Sequence, residues 1–383
     1  MRLQVPSKSL PNADSPLLGL RHPTKKECIR IWRLTSLSWR DSLDESQFLE
    51  ESAYLLTIPL AKDGGMTLWL LTDTTLPPDN RPILCSCETF LKKTLVSNPS
   101  GGTSDKNLHG IASVFTDPQY RRRGYGRRMM RELSRELRDF HFDREMNVGA
   151  VLYSDIGKQY YAALGWKPFP NNGHLEFSAS NLQSSTCTAT ELYEHDLEAL
   201  CKLDESMIRN AMAKPCANGQ TRICIIPDID HMLWHHCKED FAAEKNFGRA
   251  AFVRGALIGQ PGNRMWAIWT RRWYDKPDSP DAHNTLYVLR LVVENKDGDR
   301  DAQTEQLKTL IETMQREAHA WMLQDVKIWD PSSLVRDLVE KTGIVHKTVM
   351  REEESIASLK WFEQEDIKEG SIEWIANEKY AWC

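Results

Sequence analysis

Arg121-Arg122-Arg123-Gly124-Tyr125-Gly126 is the stretch on which the fold turns. Before it runs His109-Gly-Ile-Ala-Ser-Val-Phe-Thr116, apolar enough for a strand, and then an Asp117-Pro118 turn. After it Met130, Leu133, Leu137 and Phe140 recur on one face of a helix. The order is therefore strand, tight basic glycine loop, helix. A helix N-terminus presents unpaired N–H groups and partial positive charge. Glycines let that backbone approach a ligand closely, and arginines add full charges. This is the chemistry of a phosphate cradle, suited to a pyrophosphate. The loop lacks the third glycine of a dinucleotide-binding fingerprint and the Gly-Lys-Ser/Thr of a P-loop. A basic turn that only starts a helix is the plainer alternative.

The rest of the chain frames that loop. Its 383 residues predict two or three domains with ample core. Hydrophobic content of 41% and charged content of 27% belong to a globular protein. The net charge of −5 argues against nucleic acid as a partner, so the basic residues at 121–128 suit one small anion. Apolar runs fall short of a membrane span, and the first ten residues lack a signal core. Nine scattered cysteines, an odd number, fit reduced thiols and a cytoplasmic location.

Periodicity predicts a strand at 17–21 and helices over 25–36, capped by Thr24, and 44–54, capped by Asp44. Strands follow at 66–72 and 83–90, with a polar glycine-rich loop at 96–107. A strand at 108–116, the basic loop and its helix come next. A strand at 148–153 leads through Ser154-Asp155 to a helix at 156–163 that stops at Gly165, and Trp166 begins another strand. A Ser/Thr-rich stretch at 180–200 predicts a boundary between a domain at 1–180 and a second at 181–383. The second repeats the rhythm. Helix is expected over 191–212, strands at 248–253, 265–274 and 284–294, a long helix at 301–321, a strand at 325–329 and a helix to Gly343. Its loop at 294–301 is acidic and has one glycine.

On these residues the chain resembles the GNAT acetyltransferase superfamily. The superfamily's loop reads Gln/Arg-x-x-Gly-x-Gly/Ala, as Arg121 to Gly126 do. Its closing helix ends aromatic-Tyr-x-x-x-Gly-Phe/Trp, as Tyr160-Tyr161-Ala-Ala-Leu-Gly165-Trp166 does. Ser113-Val-Phe-Thr-Asp-Pro and Val151-Leu-Tyr-Ser-Asp-Ile resemble in particular the fungal lysine N-acetyltransferase family, over about residues 108–168. The resemblance implies an α+β mixed-sheet GNAT fold followed by a second α+β domain. That second domain reads as a degenerate GNAT-like copy without the cofactor loop, or else as an unrelated α+β domain. It also implies acetyl-CoA as co-substrate and a small-molecule amine acceptor, free lysine at its side-chain amine. Another small amine or a protein lysine remains an alternative, as does a CoA-binding scaffold without turnover.

The same resemblance assigns residues. Backbone groups of Val114, Phe115 and Thr116 would meet the pantetheine arm. Arg121, Arg122, Arg123, Gly124, Tyr125, Gly126 and Arg127 would hold the pyrophosphate, and Ser154 would touch the cofactor. Tyr161 would return a proton to the sulfur. An N–H near Phe115 would hold the developing oxyanion. A general base is harder to place, because the positions where relatives carry glutamate hold Gly110 and Gly149. His109, Glu88 and the terminal carboxylate at Cys383, behind an aromatic tail of Trp374, Tyr380 and Trp382, are the candidates. For His109 the plainer role is a strand-edge histidine, for Glu88 a solvated strand residue or a substrate anchor, and for the tail the closing of a sheet. Direct attack is expected, with an acyl carrier at Cys85 or Cys87 as the rival. Cys85 and Cys87 otherwise read as core, as does Tyr160. His231, His235, His236 and Cys237 have ligand types at helical spacing but lack a partner cluster. Trp269 and Trp273 are candidates to line the acceptor cleft.

Overall fold

A computed structural model describes residues 10–140, 143–182, 188–362 and 370–382. The first half runs β1 (Leu18–Arg21), α1 (Lys25–Trp39), α2 (Glu45–Leu55), β2 (Met66–Asp73), β3 (Cys85–Ser97), β4 (Thr103–Thr116), α3 (Tyr125–Arg138), β5 (Asn147–Ser154), α4 (Gln159–Ala162) and β6 (Lys167–Pro168). The second runs β7 (Gly173–Ser178), β8 (Thr190–Leu192), α5 (Glu194–Met212), β9 (Thr221–Ile225), α6 (Ile229–Phe247), β10 (Gly255–Ile258), β11 (Met265–Arg272) and β12 (Thr285–Val293). It closes with α7 (Arg300–Ala320), β13 (Asp325–Trp329), α8 (Ser333–Thr342), β14 (Lys347–Met350), β15 (Ile356–Trp361) and β16 (Ile372–Trp374).

Among the described residues the strands form two mixed sheets. The first has the order β1-β2-β3-β4-β5-β15-β6, with β9 on the far end of β3 and β16 on β9. The second has the order β14-β7-β13-β12-β11-β10-β8. In each sheet one parallel pair is joined by a long helix, β4 and β5 through α3 and β12 and β13 through α7, and β16 also lies parallel to β9 in the first. This repeat makes the second half a GNAT-like copy of the first.

The sheets do not divide the chain at one point. β7 already belongs to the second sheet, while β15 returns from near the C-terminus to pair with both β5 and β6. Asn172 pins this crossing. Its Nδ2 donates to the Phe169 carbonyl at 2.6 Å, and its Oδ1 accepts from the Ala357 N–H at 2.8 Å. The side chain is buried.

Capping follows the sequence expectation at α1 and α2, where Thr24 with Glu27, and Asp44 with Gln47, close capping boxes. Glu27 also receives Arg81 at 2.8 and 2.9 Å, which ties the start of α1 to the turn before β3. The polar loop expected at 96–107 is shorter. The hairpin ladder continues to Ser97↔Thr103, so the turn is 98–102. Cross-strand pairing outweighs the polarity of 103–107 there. The strand expected at 248–253 lies instead at 255–258, because Gly248 adopts φ 65° to end α6.

Replacing Asn172 by Ala would leave the buried Phe169 carbonyl and Ala357 N–H without partners. Each such loss costs about 1–3 kcal/mol. Asn172→Ala is expected to lower unfolding free energy in urea by about 2–4 kcal/mol, and an unchanged midpoint would refute its pinning role.

Candidate active site

The site begins where β4 leaves β5. Their parallel ladder runs from Asn107↔Asn147 to Ile111↔Leu152 and stops, while β4 continues to Thr116. The departure coincides with a bulge. The β3–β4 register shifts between Ser86 and Glu88, and Ser113 takes a left-handed φ of 52°. Such a conformation costs about 1–3 kcal/mol and persists only where neighbours impose it. Ser113 Oγ donates to Glu88 Oε2 at 2.9 Å, which supplies part of that restraint.

Beyond the bulge comes the basic loop. Gly124 has φ 85° and stands at the N-cap of α3 with no side-chain cap, so the first-turn N–H groups face outward unpaired. Arg122 is also left-handed, at φ 62°. Arg121 Nε donates to the Thr116 carbonyl at 3.1 Å, and its guanidinium lies 5.5 Å from the Phe115 ring. Arg121, Arg122, Arg123 and Arg127 are exposed, and none forms an ion pair among the described residues. A Cβ on Gly126 would lie 3.0 Å from Tyr160 Oη and 3.2 Å from Thr116 Oγ1, so this glycine permits the close approach of loop and strand. Tyr125 is different. Its ring is buried and its hydroxyl donates to the Pro11 carbonyl at 2.7 Å, so only its backbone faces the cradle.

A cavity of about 770 Å³ opens at the splay. Glu88, Ser113, Val114, Ser154 and Tyr161 line one part, α1 and α2 supply Trp32, Trp39 and Glu51, β11 and β12 supply Arg272 and Tyr287, and the connection between them supplies Tyr274. Trp382, in the tail, also lines it. Burial pushes the Glu88 carboxyl up, opposed by the Ser113 hydroxyl and the Lys238 charge. Burial also raises Tyr161, which therefore keeps its proton at neutral pH. Among the described residues no hydrogen bond engages the Tyr161 hydroxyl. Ser154 lines the cavity with its hydroxyl already committed: it donates to the Gly157 carbonyl at 2.8 Å and accepts from the Ile156 N–H at 3.2 Å.

The three base candidates separate. Glu88 lines the cavity. His109 does not: it is buried, its Nε2 is 3.1 Å from Asn147 Oδ1, and its ring meets Phe140 edge-on. Cys383 lies outside the described residues. The two glycines have physical reasons. A Cβ on Gly149 would come within 2.5 Å of the Lys360 carbonyl on the inserted strand β15, and one on Gly110 would meet Lys92, which crosses over it. Interleaving of the halves thus leaves no room for a side chain at Gly149 on β5.

Other expected residues fall elsewhere. Cys85 and Cys87 belong to the core, and burial pushes Cys85 up to about 11 and Cys87 well above its usual value. Cys87 touches the cavity, but as a protonated thiol. Trp269 is enclosed in the second core rather than in the cleft, and Trp273 packs there with its indole N–H on the Trp321 carbonyl at 3.0 Å. His231, His235 and His236 bond to Asp228, the Tyr380 carbonyl and the Trp269 carbonyl.

Sequence reasoning missed the far end of the cavity. Arg272 pairs with Asp41 at 2.9 Å, Lys238 with Glu51 at 2.7 Å, and Tyr274 with Tyr287 at 2.9 Å. Each ion pair joins the α1–α2 region to the second half, and such pairs leave no local pattern. The one available signal was Glu51 amid an apolar helix face.

Comparison with known proteins agrees with this geometry. The model of the LYC1 GNAT-like C-terminal domain matches residues 174–383, more than half of the chain, and that of the acetyltransferase (GNAT) family matches residues 93–166. No curated protein matches. A solved GCN5-related N-acetyltransferase from Anabaena variabilis is 12% identical at TM-score 0.50, over 89% of this chain and 72% of that one. One from Kribbella flavida is 16% identical at TM-score 0.49, over 89% and 70%. A conserved protein of unknown function from Enterococcus faecalis, a probable N-acyltransferase, is 11% identical at TM-score 0.46, over 89% and 71%.

Restoring a carboxylate on β5 tests the steric account. Gly149→Glu is expected to lower stability by about 1–3 kcal/mol through overpacking against β15, with no gain in turnover. A stable variant in a thermal melt would refute it.

Proposed function

We propose that this chain, which belongs to the family carrying the LYC1 GNAT-like C-terminal domain and is a GNAT N-acetyltransferase, moves the acetyl group of acetyl-CoA directly onto the side-chain amine of free lysine. The observation that carries the reading is the cavity that joins a half-buried carboxylate and a buried phenol at the splay to polar residues from the second half. Free lysine as acceptor follows from the resemblance to the fungal lysine N-acetyltransferases. A cavity walled by both halves suits a small molecule better than a lysine on a protein surface.

Each step has a residue suited to it. The pyrophosphate would rest on the N–H groups at Gly124, Tyr125 and Gly126, with Arg121, Arg122, Arg123 and Arg127 around it. Backbone groups of Val114, Phe115 and Thr116, released from β5 by the bulge, would receive the pantetheine arm. Ser154 would contact it through its backbone, since its hydroxyl is occupied. The co-substrate supplies an activated acyl group as a thioester.

Glu88 takes the proton from the incoming ammonium. An ordinary lysine amine has a pKa of about 10.4, so neutralising it at pH 7 costs about 4.6 kcal/mol. A carboxylate made more basic by burial meets part of that cost. An N–H of the bulged strand near Phe115 holds the charge that develops on the carbonyl oxygen. Tyr161 delivers its proton to the departing sulfur. The raised thiols of Cys85 and Cys87 favour direct attack over an acyl carrier, because the thiolate is the nucleophile. With reduced, protonated thiols a cytoplasmic location fits, and the described residues hold no helix long and apolar enough to cross a membrane.

Thiol release from acetyl-CoA, measured with free lysine, a polyamine, a lysine peptide and no acceptor, tests the acceptor: release with peptide alone would overturn the free-lysine reading. Tyr161→Phe is expected to lower kcat about 100-fold with CoA affinity kept. Loss of CoA binding would remove its role as acid. Glu88→Gln should abolish the acid limb of the kcat/KM profile. That limb lies above the ordinary glutamate value of about 4.3, because burial raises Glu88. A limb that survives in Glu88→Gln assigns the base elsewhere.

A further inference from the structure

Tyr160 reads as core from the sequence, and the structure places it at the basic loop instead. It sits on the short helix α4 and is 37% exposed, while its neighbour Tyr161 is buried. A Cβ on Gly126 would lie 3.0 Å from Tyr160 Oη and 3.2 Å from Thr116 Oγ1. The phenol hydroxyl therefore stands over the first turn of α3 and beside the end of β4. Any residue larger than glycine at 126 would fill the gap between them. The rings of Tyr160 and Tyr161 meet edge-on, with centres 5.0 Å apart and planes at 87°. This is a preferred contact between aromatic rings, and it holds Tyr160 in one direction.

Three other hydroxyls along the splay and the loop are already committed. Thr116 Oγ1 donates to Cys85 Sγ at 3.3 Å, Ser113 Oγ to Glu88 at 2.9 Å, and Ser154 Oγ to the Gly157 carbonyl at 2.8 Å. The Tyr160 hydroxyl makes no hydrogen bond among the described residues. Burial raises it above the ordinary tyrosine value, Cys85 adds to this, and the Arg127 charge opposes. At neutral pH it is therefore a phenol with a hydrogen to donate. A donor without a partner, at a loop lined with exposed arginines and unpaired N–H groups, is placed to meet an anion.

We propose that Tyr160 is a binding residue for the co-substrate, its hydroxyl donating to a phosphate oxygen held at the start of α3. The inference rests on the reading of the basic loop as a pyrophosphate cradle. Gly126 then has a second task, since it keeps open the gap that the phosphate would enter. A hydrogen bond from a phenol to a phosphate is charge-assisted, and so stronger than one between neutral groups. The exposed arginines attract a polyphosphate, but ordering their long side chains costs conformational entropy. Tyr160 turns on two side-chain torsions and already rests on a buried ring, so it fixes one oxygen at little such cost.

Two measurements on Tyr160→Phe, which keeps the ring and removes one oxygen, test this. In calorimetry, which needs no turnover, CoA is titrated into wild type and variant. Its Kd is expected to rise about 10- to 100-fold in the variant, the size of one lost hydrogen bond to a charged group. An unchanged Kd overturns the proposal and leaves the cradle reading standing. No binding of CoA by wild type overturns that reading, and the proposal with it. In steady-state kinetics, acetyl-CoA is compared with acetyl-pantetheine, the same thioester arm without phosphates. The ratio of kcat/KM for acetyl-CoA over acetyl-pantetheine is expected to fall about 10- to 100-fold in the variant. An equal loss for both thioesters would make Tyr160 a residue that only orients Tyr161, and would overturn its binding role.

Discussion

A backbone N–H that leaves a ladder must find another acceptor, and this molecule meets that requirement in two opposite ways. In the first half β4 outruns β5 after Ile111, and the bulge at Ser113 keeps the last residues of β4 away from it. In the second half β12 outruns β13 in the same fashion, since pairing ends at Val288↔Ile328 while β12 continues to Val293. There the chain fills its own opening. Glu378 accepts from the Leu291 N–H at 2.9 Å, Arg290 holds Glu378, and Tyr380 and Ala381 join the core behind it. The helix after that splay is treated likewise. Asp299 caps α7 through the Ala302 N–H, whereas Gly124 leaves α3 uncapped. One opening adjoins the large cavity and its counterpart is closed by the tail.

This arrangement decides what the second half can do. Its slot is occupied by protein and its long helix begins on its own aspartate, so it offers no cradle among the described residues. Its contribution is a wall. Asp41–Arg272 and Glu51–Lys238 clamp the α1–α2 region against β11 and α6. Behind them Glu239 receives Arg254 and Arg271 with all three side chains almost fully buried. A buried pair of this kind adds little net stability, because desolvation offsets attraction, but losing one partner is costly. Breaking any of these pairs is costly, so they fix the wall's side chains, as the acceptor site proposed above requires.

The parts legible in the sequence were those governed by short-range rules. Arg121 to Gly126 announced a glycine turn into a helix because glycine spacing and helix onset are local, and Thr24 and Asp44 announced their helices by capping chemistry. Tyr161 followed from a motif five residues from Trp166. The second copy was legible as a rhythm of strands and helices. What stayed hidden were consequences of long-range pairing. Nothing in residues 356–361 says that they lie between β5 and β6, and so nothing in the sequence explained why position 149 holds glycine. His109 looked as good a base as Glu88 from the sequence, because strand alternation gives a face but not what covers it. Phe140 and Asn147 cover His109, and the cavity meets Glu88.

The tail joins these threads. Its residues 378–382, Glu-Lys-Tyr-Ala-Trp, are two charged residues followed by two aromatics around an alanine, and they go to different neighbours. Glu378 closes the second splay, Tyr380 reaches the Ile225 carbonyl at 2.5 Å on a strand of the first sheet, and Trp382 lines the large cavity. Lys379 stands between them, held by rings from β12, from β13 and from the tail itself. A segment that only sealed an edge would need no buried cation there, and a methionine would fill the same space without the desolvation cost. The closure of the second copy's slot and part of the large cavity's wall thus come from the same short segment. A GNAT-like copy that no longer cradles a cofactor can in this way still bear on the reaction, through the strand ends against which its own tail is folded.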